Sequence, residues 1–306
     1  MTDGDQVSEL RRAFLPGNIL SYSTTRINVK CNGHEIGRAT GFVGRFSDRY
    51  ALVTNWHVVS GYNPNTGKLI SKVSAIPDEI EFHVAVLHPA SVENGSSVRN
   101  VFFKPLSVKL FNGERKNWIE NVDGDVIQDV AIIPLRDHVE ELSEIGTELL
   151  SIQCGNMSIY WDQKTNTWGD SAKPFYPPIG HDVFILGYPQ GIDTTGILPV
   201  WKRGSVASEP LYPLTINGAN LGTLFYIDAL TKHGMSGAPV LCRVKAGDKF
   251  YTTDAEPITF QRDETFLAGV YAGRDGLSQQ EFEFSVGRVW KLEVVSALFF
   301  KSYEVE

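Results

Sequence analysis

Short apolar runs rich in β-branched and aromatic residues, each closed by Gly, Asn, Asp or Pro, recur along the chain about every eight to twelve residues, the spacing of an all-β sandwich or barrel. Examples are TTRINVKCNG, TGFVGRF, YALVTNWHVV, IEFHVAVL, DVAIIPL, DVFILGYP, TLFYIDA, APVLCRV and TFLAGVYAG. Two segments read as helices instead. One is SELRRAFL near the start; the other is VWKLEVVSALFFKS at the end, where Leu292, Val295, Leu298 and Phe299 recur at helical spacing. The strand pattern is weakest from about residue 135 to 180, and PFYPPIG has the Pro and Gly density of a linker. The pattern therefore divides into an N-terminal extension (1–22), a first β half (23–150), a hairpin and linker (151–180) and a second β half ending in the helix (181–306). Within the linker, SIYWDQKTNTWG reads as a hairpin in which Trp161 and Trp168 pack across the strands.

At 306 residues and 42% hydrophobic, the chain can bury a full core without help from disulfides or metals. Its 28 Lys and Arg are outnumbered by 36 Asp and Glu, with no dense basic run, so nucleic acid is not an expected partner. The opening MTDGDQVSELRRAFLPGNIL has neither the basic start nor the long apolar run of a secretory signal or membrane span. The expected compartment is the cytoplasm. Cys31, Cys154 and Cys242 lie far apart without metal-ligand spacing, as unpaired thiols of a reduced cell would. The seven histidines show no H-E-x-x-H or paired spacing, and no metal or organic cofactor is expected.

Three local patterns carry chemistry. LVTNWHVVSG ends an apolar strand at His57, QDVAIIPL sets Asp129 at the head of a buried run, and KHGMSGAPVL places Ser236 between Gly234 and Gly237. Amide hydrolysis needs a nucleophile, a base that takes its proton, and a group that fixes the base's tautomer; Ser, His and Asp fill those roles. The glycines allow a turn that points two backbone N–H groups, expected to be those of Gly234 and Ser236, at the oxygen that becomes negative. Each residue alone is weak evidence, but the order His, Asp, Ser in an all-β chain differs from the Ser, Asp, His order of α/β-hydrolases. Asp123 and Asp125 compete with Asp129 for the third role; both sit in NVDGDVIQ, which reads as an exposed turn.

These motifs resemble the trypsin-like peptidase superfamily, and within it the bacterial HtrA branch. The stretch Asp228-Ala229-Leu230-Thr231-Lys232-His233-Gly234-Met235-Ser236-Gly237 is similar to the HtrA nucleophile loop. ILGYPQG followed by RGSVAS, and then FLAGVYAG, resemble the strands on either side of that loop. The resemblance runs with gaps from about Ile27 to the end. It implies two packed six-stranded antiparallel barrels with a C-terminal helix, and a serine endopeptidase acting on protein or peptide substrates through an acyl-enzyme. One wall of its substrate pocket is implied at Leu230, Thr231 and Lys232, the other at Tyr271, Ala272 and Gly273 on the way to Arg274.

The departures narrow the expectation. Met235 stands where the digestive enzymes carry an aspartate that receives a newly cut N-terminus, so activation by that cleavage is not expected. Ala238 replaces a second glycine without disturbing the turn, and no PDZ domain is expected after the last helix. No aspartate occupies the position that selects Arg or Lys, which implies an apolar or small residue before the scissile bond unless Glu281 or Glu283 reaches the pocket. Two other readings use the same residues: a catalytically latent binding module, and an esterase with a shorter cleft. An activating or substrate protein encoded nearby is the expected partner.

Overall fold

The computed structural model describes residues 12–14, 18–71, 74–88, 91–93, 96–98, 100–123, 126–136, 138–139, 147–155, 159–162, 167–170, 175–216, 219–252, 256–276 and 285–304. The first half forms a ten-stranded sheet from β1 (Arg12–Phe14), β2 (Thr24–Cys31), β3 (His34–Phe46), β4 (Arg49–Thr54), β5 (Glu79–Leu87), β6 (Asn100–Lys109), β7 (Ile119–Asp123), β8 (Val126–Pro134), β9 (Glu148–Leu149) and β10 (Ile152–Gln153). Its order is β1-β6-β5-β2-β3-β4-β8-β7, with β9 joining β5 and β10 joining β3. Ile80, Phe82 and Val84 from β5 share one core with Ala131 and Ile133 from β8, so the sheet curls around a common interior. Short helices α1 (Ile19–Ser23) and α2 (Trp56–Ser60) precede β2 and follow β4.

After the hairpin of β11 (Ile159–Asp162) and β12 (Thr167–Asp170), which sets Trp161 opposite Trp168, the second half closes a six-stranded barrel. Its strands are β13 (Asp182–Gly187), β14 (Val200–Val206), β15 (Leu224–Asp228), β16 (Pro239–Val244), β17 (Glu264–Gly276) and β18 (Ser285–Lys291). They are hydrogen-bonded in the order β13-β14-β15-β18-β17-β16. The chain then turns into α3 (Leu292–Glu304).

Two expectations change. The segment read as an N-terminal helix contributes β1 instead: Arg12 to Phe14 pair with Phe102 to Asn100 on the edge of β6, an edge that would otherwise present unpaired backbone groups. The first half also carries more strands than six. Its short additions β1, β9 and β10 pair onto strands already in place, β10 running parallel to β3.

Strand alternation explains how the halves meet. On β4, Leu52 faces the first core, whereas Ala51 and Val53 face the layer between the halves. On β8, Ala131 and Ile133 face inward, whereas Val130 and Ile132 join that same layer with Leu186, Leu241 and Val270 of the barrel. Strands covered on both faces read as continuous apolar runs, which is why YALV and VAII lack polar alternation. The predicted stripe of α3, Leu292, Val295, Leu298 and Phe299, is buried in this layer. Each such side chain contributes about 1.5–3 kcal/mol of burial. Arg49 holds the end of the helix by donating to Ser302 O at 2.8 Å.

Candidate active site

Antiparallel pairing of β4 with β8 sets Ala131 opposite Thr54, so the residues just before Ala131 lie beside the chain just after Thr54. That register brings Asp129 to α2. Asn55 is fully buried and donates through Nδ2 to Asp129 O at 2.6 Å. Trp56 Nε1 donates to Glu120 on β7 at 2.7 Å. Burial alone would raise the Glu120 carboxyl, but hydrogen bonds from Lys116, Trp118 and Trp56 hold it below its ordinary range, so it stays an acceptor. The helix stops at Gly61, whose left-handed φ of 78° lets its N–H donate to His57 O.

His57 is thereby aimed at a carboxylate almost wholly out of water; Asp129 is 2% exposed. Asp129 Oδ1 accepts from the His57 backbone N–H at 2.9 Å, and Oδ2 lies 2.8 Å from Nδ1. An ionised carboxylate can only accept, so Nδ1 carries the proton and Nε2 is left as a base. Asp125 and the side chain of Asp123 lie outside the described residues.

Ser236 sits in a turn that only glycines could make. Gly234 has φ +92°, and a Cβ there would lie 2.4 Å from Tyr188 O. Gly237 has φ +84°, and a Cβ there would lie 2.2 Å from Thr40 O. Between them Met235 is fully buried in the barrel core. The His233 carbonyl accepts from Gln190 N–H at 2.7 Å. In a trans peptide the following N–H points the opposite way, so the Gly234 N–H is turned from Gln190. Among the described residues, neither the Gly234 nor the Ser236 N–H donates to a protein acceptor. Two free donors flank the serine.

Thr40, fully buried on β3, ties this turn to the first sheet. Its N–H donates to Ser236 O at 2.9 Å and its hydroxyl donates to Gly234 O at 2.7 Å. The same hydroxyl accepts from Tyr188 N–H at 3.2 Å, and Thr54 Oγ1 donates to Thr40 O at 2.8 Å. Sequence reasoning missed Thr40, Asn55, Glu120 and Gln190. The first three look like ordinary strand or turn residues, and only folding joins them to the site; Gln190 is marked by its left-handed φ of 54°, which no sequence pattern announces.

His57 and Ser236 line one cleft of about 520 Å³ together with His233, Gly234, Arg38 and Ala39. Among the described residues no hydrogen bond joins Ser236 Oγ to His57, a looseness common before substrate binds. The residues expected to wall the substrate pocket take different places. Leu230 is 67% exposed and Lys232 is exposed, whereas Thr231 and Tyr271 are buried and share a short hydroxyl–hydroxyl hydrogen bond. Ala272 is buried in the layer between the halves, and Gly273 has open space around it. The Tyr271 ring lies against Gly287 of β18, where a Cβ would come within 2.8 Å of it. Glu281 and Glu283 lie outside the described residues.

Burial pushes the Cys154 and Cys242 thiols up, away from the thiolate form a nucleophile needs. Among the described residues no group of three or more His, Cys, Asp or Glu could hold a metal ion, and no helix is long and apolar enough to cross a membrane.

The family described as trypsin-like peptidase domain matches residues 39–245. No curated protein sequence matches the chain. Among solved structures, an inactive form of Rv3671c from M. tuberculosis H37Rv is 17% identical with a TM-score of 0.41, covering 92% of this chain and 87% of that one. A serine endoprotease from Yersinia pestis is 13% identical with a TM-score of 0.43, covering 94% of this chain and 67% of that one.

Proposed function

Because the chain belongs to the trypsin-like peptidase family, we propose that it is a serine endopeptidase whose nucleophile is Ser236, whose general base is His57 and whose orienting carboxylate is Asp129. Ser236 Oγ attacks the scissile carbonyl as His57 Nε2 takes its proton. The oxygen that becomes negative is received by the N–H groups of Gly234 and Ser236, donors already in place and needing no reorganisation. His57 then gives its proton to the leaving amine, and a water activated by the same nitrogen releases the acyl group from Ser236. The observation that carries this reading is the bond from His57 Nδ1 to Asp129 at 2.8 Å, which fixes the one tautomer able to act as base. With no carboxylate among Leu230, Thr231, Lys232, Tyr271, Ala272 and Gly273, the residue before the scissile bond is apolar or small.

The missing Ser236–His57 hydrogen bond favours a second reading, a latent site that holds partners without cleaving them. Reaction with a fluorophosphonate, followed by mapping of the labelled residue, separates the two. An active enzyme is labelled at Ser236, and Ser236→Ala or His57→Ala abolishes the labelling. A folded protein that is never labelled is the latent module.

A further inference from the structure

We infer that this enzyme selects its substrates on the leaving-group side, through an apolar side chain in the first two residues after the scissile bond. The inference rests on the peptidase reading and assigns a function to the cleft of about 520 Å³ beside the catalytic residues. The general base fixes the direction. His57 must protonate the leaving amine, so the product that departs first lies over His57 and the segment that follows it. The cleft lies there: it is lined by His57, Val58 and Gly61, and apart from His233, Gly234 and Ser236 its walls come from the first half of the chain.

Apolar side chains make up much of its lining; Arg38, also at the cleft, is paired with Glu35 at 2.7 Å. Val29, Ile36, Ala39, Val58, Ile70 and Pro77 line it, and Ile70 keeps 51% of its surface exposed at the cleft with no core to join. An isoleucine in that position gains little from folding and is available to a bound side chain. On the opposite side Thr231 and Tyr271 are buried and hydrogen-bonded to each other.

The test uses internally quenched peptides with alanine before the scissile bond and Ala, Leu, Phe or Asp at each of the two positions after it. Leu or Phe at one of these positions should raise kcat/KM about ten- to hundred-fold over Ala, the range a hydrophobic pocket gives; Asp should lower it. Two substitutions should collapse the Leu-to-Ala ratio toward one. Ile70→Asp places a charge at the cleft. Gly37→Phe fills it from a strand position where an added Cβ meets nothing within 4 Å. Taking the ratio within each protein cancels any general loss of activity. A flat profile in the native enzyme, or a preference that survives both substitutions, overturns the inference while cleavage itself leaves the peptidase reading standing. No cleavage and no fluorophosphonate labelling of Ser236 overturn both.

Discussion

Replacing Asp129 by Asn keeps the shape of the side chain and changes one acceptor into a donor. The backbone N–H of His57, 2.9 Å from Oδ1, needs an acceptor, so the Asn oxygen takes that place and its NH₂ falls 2.8 Å from Nδ1. Nδ1 must then accept, its proton moves to Nε2, and the nitrogen facing Ser236 is no longer a base. The flipped amide restores the productive tautomer only by setting donor against donor at the backbone N–H. In a site where Asp129 is 2% exposed, that costs about 1–3 kcal/mol and leaves roughly one molecule in ten to one in a hundred competent. The imidazolium formed in the transition state also loses its counter-charge. At about 4 Å and an effective dielectric of about 20, that charge is worth about 4 kcal/mol, close to a thousand-fold. Together these terms predict a loss in kcat of about 10⁴, the figure the chymotrypsin-type template gives for the same change. KM should move little, because Asp129 is shielded from the cleft by His57. The assay is steady-state cleavage of one peptide at neutral pH, with thermal unfolding to show that the variant is folded. An Asp129→Asn enzyme within ten-fold of native turnover refutes the reasoning, and a collapse in Asp123→Asn or Asp125→Asn instead moves the triad to that residue.

Thr40→Val keeps the volume but removes the hydroxyl that holds Gly234 O and Tyr188 N–H, so kcat should fall about ten- to hundred-fold and stability by about 1–3 kcal/mol. An unchanged kcat in a destabilised variant would reduce Thr40 to a packing residue. Glu293, half-buried at the start of α3, has its carboxyl pushed up to about 7 by burial, against about 4.3 in an unfolded chain. The folded state holds that proton more tightly, so the contribution is complete below about pH 4 and is lost as the pH rises through 7; Glu293→Gln should stabilise the protein by about 1–2 kcal/mol at pH 8 and hardly at all at pH 4. Thermal unfolding of both proteins across that range checks it, and parallel curves would refute it.

The candidate site residues are legible in the sequence because the proposed chemistry asks for local marks: a glycine-flanked serine before an apolar strand, a histidine closing a strand, an aspartate opening one. What holds them was not legible. Thr40 is 196 positions from Ser236 in the chain, and a threonine in TGFVGRF reads as a strand former. Only the docking of β3 against the nucleophile turn makes its hydroxyl a tether. Likewise α3 announced itself through a stripe of spacing 3 and 4, whereas Arg12 to Phe14 carry a helix-compatible local pattern and become a strand because β6 offers an open edge. The pocket walls were the least legible part. The sequence could number Thr231 and Tyr271, but whether they surround a space or fill it depends on where the Tyr271 ring turns.

Met235 anchors the turn before Ser236 in the barrel core. In the digestive enzymes that the chain resembles, an aspartate at this place receives a newly cut N-terminus. Here the side chain is apolar and fully buried among Val183, Ile185 and Val240 of the barrel core, so the hydrophobic effect pulls the same residue inward without an ion pair. Thr40 then fixes the turn on its other flank through Gly234 O and Ser236 O, and Gln190 fixes the peptide before it through His233 O. All three restraints are formed by folding alone. For the proposed endopeptidase we expect such a turn to hold its oxyanion donors without a cut terminus; the contact still to be made is the short approach of Ser236 Oγ to His57 Nε2, which a substrate seated across both walls of the cleft is expected to drive by closing water out from between them.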